Sequence, residues 1–295
     1  MSFKFFHIFI LLLLGLFLTL EGFTYFSSRQ LHKEIPLTIE RELKVTLDAG
    51  FGDVSITRGK PRLALEADID TDSKNDLSDF IDYTVRDAVG YLSMNTNAEV
   101  RSHSHKHSIS FRGTRSNDWD MHFPEGIPIS FELGLGLGRG NFDLTDLNVK
   151  DLKLSAGASS VSLKFDRQNK SVIEDLTIES GLSKFEGKGL CNANFNHLSF
   201  EGGVGSYALD FSGTLKKEVD VDIEVGLGSL VVYVPEKIGV KIIYEKSLLA
   251  HISLDQSLED RGNNNYFSPN YRTAQGRMNI HIEAGLGSIK VKRIP

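Results

Sequence analysis

The stretch VDIEVGLGSLVV (Val221 to Val232) decides the fold, because the chain writes it seven times. Two alternating apolar residues, a glycine corner, then two more alternating apolar residues make up the phrase. The other copies are VTLDAGFGDVSI (Val45 to Ile56), LGLGRGNFDL, LKLSAGASSVSL, LTIESGLSKFEG, LSFEGGVGSYAL and IHIEAGLGSIKV (Ile280 to Val291). Repetition at this period signals a solenoid or stacked array, in which no repeat has a core of its own and stacking creates one.

Period-two alternation argues for strands with one buried face. Counted from a first corner glycine (Gly50, Gly138, Gly157, Gly181, Gly203, Gly226, Gly285), apolar residues stand five and three before it and four after it in every copy. Glycine weakens a strand interior, so its recurrence asks for a sharp corner, where positive φ carries no steric cost. Successive central corners lie 19, 24, 22 and 23 residues apart from Gly138 to Gly226. That length fits one coil of a parallel β-solenoid or one long hairpin. A hairpin rack would want two-residue turns such as Asn-Gly, which the central copies lack, so the coil is expected. The wider gaps predict insertions near 68–128 and 247–276. The second includes RGNNNYFSPNY, a Gly/Asn/Pro cluster that reads as loop.

Around this core, 295 residues at 40% apolar content are enough for a substantial interior. A net charge of −6 argues against a nucleic-acid partner. The single cysteine, Cys191, cannot form an internal disulfide and reads as a small buried residue. The N-terminus, MSFKFFHIFILLLLGLFLTLEGFTYFSS, runs apolar from Phe5 to Leu20, and Phe23 to Phe26 extend it to a membrane-spanning length. It offers no A-x-A cleavage site and no lipobox cysteine. Ser27–Ser28 is a weak small-residue cleavage site, so a cleaved signal peptide is the rival reading, and the expectation is residues 1–30 as an uncleaved signal anchor and linker, with Lys4 on the cytoplasmic side. Residues 31–295 then form the extracytoplasmic solenoid, on a single-pass protein of the cell membrane.

The carboxy-terminal third, with VYVPEKIGVKI, NYFSPNYRTAQGRMNI and the final I-x-I-E-x-G-x-G-x-I-x-V pair, resembles the bacterial toast-rack and adhesin-type domains. It is also similar to the C-terminal domain of the cell-wall-active antibiotic response (LiaF-like) proteins. The resemblance covers Val219 to Val291 well, and Leu133 to Phe211 through the glycine phrase. It implies an all-β, single-stranded, right-handed β-helix-like solenoid of toast-rack type at the bacterial envelope, here behind one N-terminal transmembrane helix. It implies no enzymatic residues to carry over. The LiaF-like layout has several N-terminal membrane helices, and this chain has one apolar segment.

Few constellations carry chemistry. RSHSHKHSIS places His103, His105 and His107 on one side of an extended segment, a candidate zinc or copper ligand set with His122 as a fourth member. The plainer reading is a solvated His-rich insertion, and no metal or cofactor is assigned. Acids recur two residues before the corner at Asp48, Glu179, Glu201, Glu224 and Glu283, with Gly136 and Ser155 breaking the series. Stacked coils would align them as an outward stripe or as oxygen ligands for a divalent cation. Trp119 reads as a cover for the solenoid end or a stacking platform for sugar. No G-x-S-x-G elbow, H-E-x-x-H helix or P-loop occurs. The expected function is a non-catalytic module for binding, scaffolding or envelope stress response, with an envelope protein or glycan as ligand. The alternative is an enzyme acting on envelope polysaccharide.

Overall fold

The computed structural model describes residues 29–71, 80–96, 117–245 and 249–295. Sixteen strands among them join into one sheet. In chain order they are β1 (Arg29–Pro36), β2 (Glu42–Arg58), β3 (Leu63–Thr71), β4 (Ile81–Arg86), β5 (Val89–Asn95), β6 (Asn117–Phe123), β7 (Pro128–Asp143) and β8 (Asn148–Lys164). There follow β9 (Ile173–Lys188), β10 (Phe195–Asp210), β11 (Glu218–Pro235), β12 (Gly239–Glu245), β13 (Leu249–Leu254), β14 (Glu259–Asp260), β15 (Asn265–Phe267) and β16 (Arg277–Ile294).

Seven long strands carry the seven glycine phrases: β2, β7, β8, β9, β10, β11 and β16. They stack in that order, each parallel to the next. Parallel pairing decides for coils over hairpins. Inward residues change phase across each corner: Val45, Leu47 and Ala49 are buried before it, Val54 and Ile56 after it. On a straight strand those two sets would face opposite sides. The bend turns both arms toward one interior, and a short closing segment, such as residues 165–172 between β8 and β9, completes each coil.

The interior is a continuous apolar column. Leu152, Leu176, Leu198, Val221 and Ile280 stack in adjacent layers, all fully buried. Phe185, Phe200 and Tyr207 fill the middle, with ring centroids 5.4 Å and 5.2 Å apart. Burial of each such side chain contributes about 1.5–3 kcal/mol, and only a neighbouring coil can supply the covering surface.

The second copy departs from the expected register. Gly138 pairs with Gly52, so Gly136, not Gly138, occupies the first corner opposite Gly50. Phe131 therefore takes the place of Val45, Leu133 that of Leu47, and Gly140 that of Val54. A shift of two leaves the buried face unchanged, which is why periodicity alone did not resolve it.

The corner itself also differs from expectation. Positive φ is found at the second glycine, at Gly52 (126°), Gly138 (138°), Gly228 (144°) and Gly287 (138°), and not at Gly226. A Cβ on Gly228 would overlap the carbonyl oxygen of Gly205 in the coil beneath, so both conformation and close approach demand glycine there. In β8 and β9 the second position is Ser159 and Ser183 instead, and neither has positive φ. Ladder pairing between these two strands lapses from Ala156↔Ser180 to Ser160↔Lys184, so the middle corners turn differently.

Both ends of the stack are built alike. The first arm of β2 continues into β5 and β4, and its second arm into β6, β3 and β1. The first arm of β16 pairs with β12, and its second with β13. β5 with β6, and β12 with β13, thus extend the two arms separately beyond the last long strand, with β4 beyond β5, β3 and β1 beyond β6, and β15 and β14 beyond β12. Trp119 of β6 is buried, edge-on to Phe80 at 5.9 Å, with its indole N–H donated to Asn117 at 2.8 Å. It lies in register between Val54 of β2 and Ile69 of β3, so it is a core side chain rather than a cover for the end, and it presents no face to a sugar.

The closing segments hold buried amides. Asn169 accepts the Val149 N–H at 2.9 Å and donates to the carbonyls of Val149, Ser171 and Ala193. Asn192 donates to Phe165 and accepts from Thr214 N–H. These side chains satisfy backbone groups that turn away from the ladder. Cys191, in the 3₁₀ turn Leu190–Ala193, is buried, and burial pushes its thiol up to about 12. It is a packing residue.

Candidate binding surfaces

Two outward surfaces concentrate charge. The first is a groove over the outer face of the N-terminal layers, where β1, β3, β6 and the second arms of β2 and β7 lie side by side. It encloses about 770 Å³. Alternation sends Trp119, Val54 and Ile69 inward, and therefore sends their neighbours into the groove. One row across it reads Asp70, Asp118, Asp53, Arg139, each opposite the next. The next row reads His32, Asp68, Asp120, Ser55, Asn141.

Like charges directly opposite destabilise a sheet. Arg139 compensates one end of the first row, donating its Nε–H to Asp53 at 2.9 Å. His32 compensates one end of the second, with Nδ1 at 2.7 Å from Asp68. Asp118 lies between two carboxylates. Burial and then the charges of Asp53 and Asp70 lift its carboxyl above the usual range, against a smaller opposing pull from Arg139. The sequence by itself gives no view of this groove. Its only local trace is the alternation of aspartates in ADID and NDWD; the pairing of distant strands brings them together.

The second surface is the outer face of the C-terminal layers. The register sets Glu179, Glu201, Glu224 and Glu283 in one row as expected, and adds Glu245 of β12 beyond Glu283. Towards the other end the row runs through Ser155 and Gly134 to Asp48, so Gly134 and not Gly136 is the interruption. Glu245 belongs to no glycine phrase, which hid it. Two histidines stand beside this row. His197 sits between Asp175 at 3.1 Å and Asp222 at 2.8 Å. Burial pulls its imidazole down, but the two hydrogen bonds outweigh that and hold it above the ordinary value. His281 is 3.2 Å from Glu245 and 3.6 Å from Asp222.

Among the described residues, two groups bring ligand-type atoms within 4.8 Å of one another: His32 with Glu34 and Glu66, and His281 with Glu245 and Glu283. Lys60 already bridges Glu34 and Glu66 at 3.0 Å and 2.7 Å. His281 itself partners the carboxylates of the other group. His103, His105 and His107 lie outside the described residues. His122 faces Thr57 at 2.7 Å and Asp120 at 3.6 Å.

A stack of bent parallel strands closed at both ends, with charged rows along its outer faces, defines an all-β solenoid. Residues 27–186 match the N-terminal domain of toast-rack, and residues 191–291 match the C-terminal domain of the cell-wall-active antibiotics response protein LiaF. The chain belongs to the toast-rack family. No curated protein matches it. Among solved structures, a candidate cell adhesion protein from Clostridium sporogenes is 22% identical, with 91% of this chain and 100% of that one covered at a TM-score of 0.43. A candidate adhesin from Bacteroides fragilis is 14% identical, with 90% and 98% covered at a TM-score of 0.38. No helix among the described residues is long and apolar enough to cross a membrane, and Phe5 to Phe26 lie outside them.

Proposed function

We propose that this chain is a membrane-tethered, extracytoplasmic, non-catalytic solenoid that binds or scaffolds a component of the bacterial envelope. Residues 1–30 serve as the anchor and the remainder as the presented domain. The toast-rack and LiaF-type matches support an envelope setting. The observation that carries the binding role is the groove row Asp70–Asp118–Asp53, three carboxylates held opposite one another at a cost to the sheet. A surface selected for stability alone would not keep Asp118 between two acids, whereas a cationic ligand group would be stabilised there. The ligand is an envelope protein or glycan offering positive charge, and tethering raises its local concentration near the groove.

The test is photocrosslinking in cells from an unnatural residue at Ser55, comparing the wild type with Asp118→Lys in the full chain. The expected result is a discrete envelope adduct that falls at least about tenfold in the variant, as reversal at a central charged contact predicts. Equal adduct yields would remove the groove as the binding site. Turnover of envelope polysaccharide by the purified protein, abolished by changing Glu201 and Glu224 together, would favour the enzyme reading instead.

A further inference from the structure

The corner rows leave one feature that neither charged surface absorbs. The residue between the two corner glycine positions points outward in every layer. Phe51, Leu137 and Ala158 stand in register on one side of the opening between β8 and β9, and Leu182, Val204, Leu227 and Leu286 on the other, with Leu249 beside Leu286. Their exposure runs from 38% at Phe51 to 69% at Leu249. Seven of the ten large apolar side chains exposed among the described residues fall on this single line. Scattered exposed leucines need no explanation, but an apolar line marks an interface. At about 4.8 Å per layer the ridge is roughly 34 Å long.

We infer that the ridge is a self-association surface, packing against the ridge of a second copy of this chain about a two-fold axis lying along it. Two observations select that occupant. The first is apolar surface: seven large side chains, each more than a third exposed, lie on one line, so ridge-to-ridge packing removes apolar area from water on both copies at once. The second is the charge of its flanks. One flank is the acidic row Glu179, Glu201, Glu224, Glu283, and the other, in the same layers, is Lys184, Ser206, Ser229, Ser288. An axis along the ridge keeps both copies parallel and layer facing layer, so Glu179 meets Lys184 of the second copy and the next three glutamates meet serine hydroxyls. An axis across the ridge would set acid row against acid row. An anionic lipid surface is disfavoured by the same row. One layer is unfavourable: Asp48 meets Asp53, which Arg139 already pairs. The contact is isologous and closes at two copies.

The experiment uses the full chain in detergent micelles. Sedimentation should give a dimer, and Leu182→Asp with Leu227→Asp should weaken it at least about 100-fold, as loss of central anchors does. Thermal stability should hold, since both residues are exposed. Lys184→Glu should weaken the dimer, and Glu179→Lys added to it should restore it. Leu137→Cys should crosslink to itself under mild oxidation, because a parallel pair sets Leu137 against Leu137; an antiparallel pair would carry it toward the opposite end. A wild-type monomer overturns the inference. So does a dimer whose mass ignores the double Asp variant while Leu137→Cys fails to crosslink. Protection of the ridge cysteine only by added envelope fractions would assign the ridge to another partner and overturn it too. Asp53 and Arg139 border both surfaces, but no variant here alters them, Asp118 or Ser55, so the adduct formed from Ser55 tests the groove reading separately.

Discussion

The outer layers of the rack and its middle layers turn the same corner by different means. In β2, β7, β11 and β16 the second corner residue is glycine at φ of 126° to 144°, pressed against the backbone of the adjacent layer. In β8 and β9 it is a serine without positive φ; in β9 Ser183 hydrogen-bonds to Ser180 across its own corner, whereas the buried Ser159 hydroxyl of β8 has no partner among the described residues. Gly205 of β10 is intermediate. It lacks positive φ, yet a Cβ on it would overlap the Ser183 carbonyl. A corner can thus be held by conformation and close approach, or, as in β9, turn with a local side-chain bond where the ladder opens for three residues.

The largest expected effect tests the first kind. Gly228→Val should cost more than about 3 kcal/mol in chemical denaturation, because the new side chain meets backbone at a strained φ. Gly226→Val should cost less, about 1–2 kcal/mol, since its Cβ lies 2.9 Å from Gly203 O without a φ penalty. Ser229→Val, outside the corner, should stay within about 0.5 kcal/mol. If Gly226 proves the more sensitive, the assignment of the corner to the second glycine is wrong.

Next in size is the closing segment. Asn169→Ala strands one N–H and several carbonyls in the buried turn, and should cost about 2–3 kcal/mol in the same assay. A loss below about 0.5 kcal/mol would mean that water replaces the amide. The second kind of corner should be more forgiving: Ser183→Ala should cost about 1 kcal/mol, while Gly228→Ser, the reciprocal of nature's choice, should approach the valine variant. Similar losses would erase the distinction between the two corners.

The smallest effects concern charge. His197 has its folded value raised, so its contribution is full below the ordinary imidazole range and fades as pH rises through the folded value. The melting temperature of the wild type should exceed that of His197→Asn by about 1 °C at pH 5.5, and the gap should close by pH 8.5. A gap that widens with pH would reverse the assignment. Asp118 has its carboxyl raised, so its ionisation opposes folding at neutral pH. Asp118→Asn should therefore raise the melting temperature by about 1 °C while weakening groove binding. A variant that loses both stability and binding would make Asp118 structural.

Much of the coil was legible because its residues are constrained locally. The phase change at Val45, Leu47 and Val54, Ile56 and the spacing of the central glycines both follow from the period of a strand and from glycine's freedom at a corner. The buried Asn169 and Asn192 were not legible, because an asparagine in a turn-rich segment looks the same whether solvated or enclosed. The aspartate groove was not legible either, because Asp70, Asp118 and Asp53 meet only through pairings between β3, β6 and β2.

By itself, then, the sequence determined an all-β stack of bent strands, the face each strand buries, and the recurrence of Glu179, Glu201, Glu224 and Glu283 at one outward position. These are consequences of period two and of repetition. The tertiary structure decided which copy pairs with which, where positive φ falls, and which strands occupy the outermost layers. A shift of two residues, or an exchange of neighbouring layers, leaves the apolar pattern of every strand unchanged. Only packing of one coil's backbone against the next distinguishes Gly136 from Gly138, or places β16 between β11 and β12.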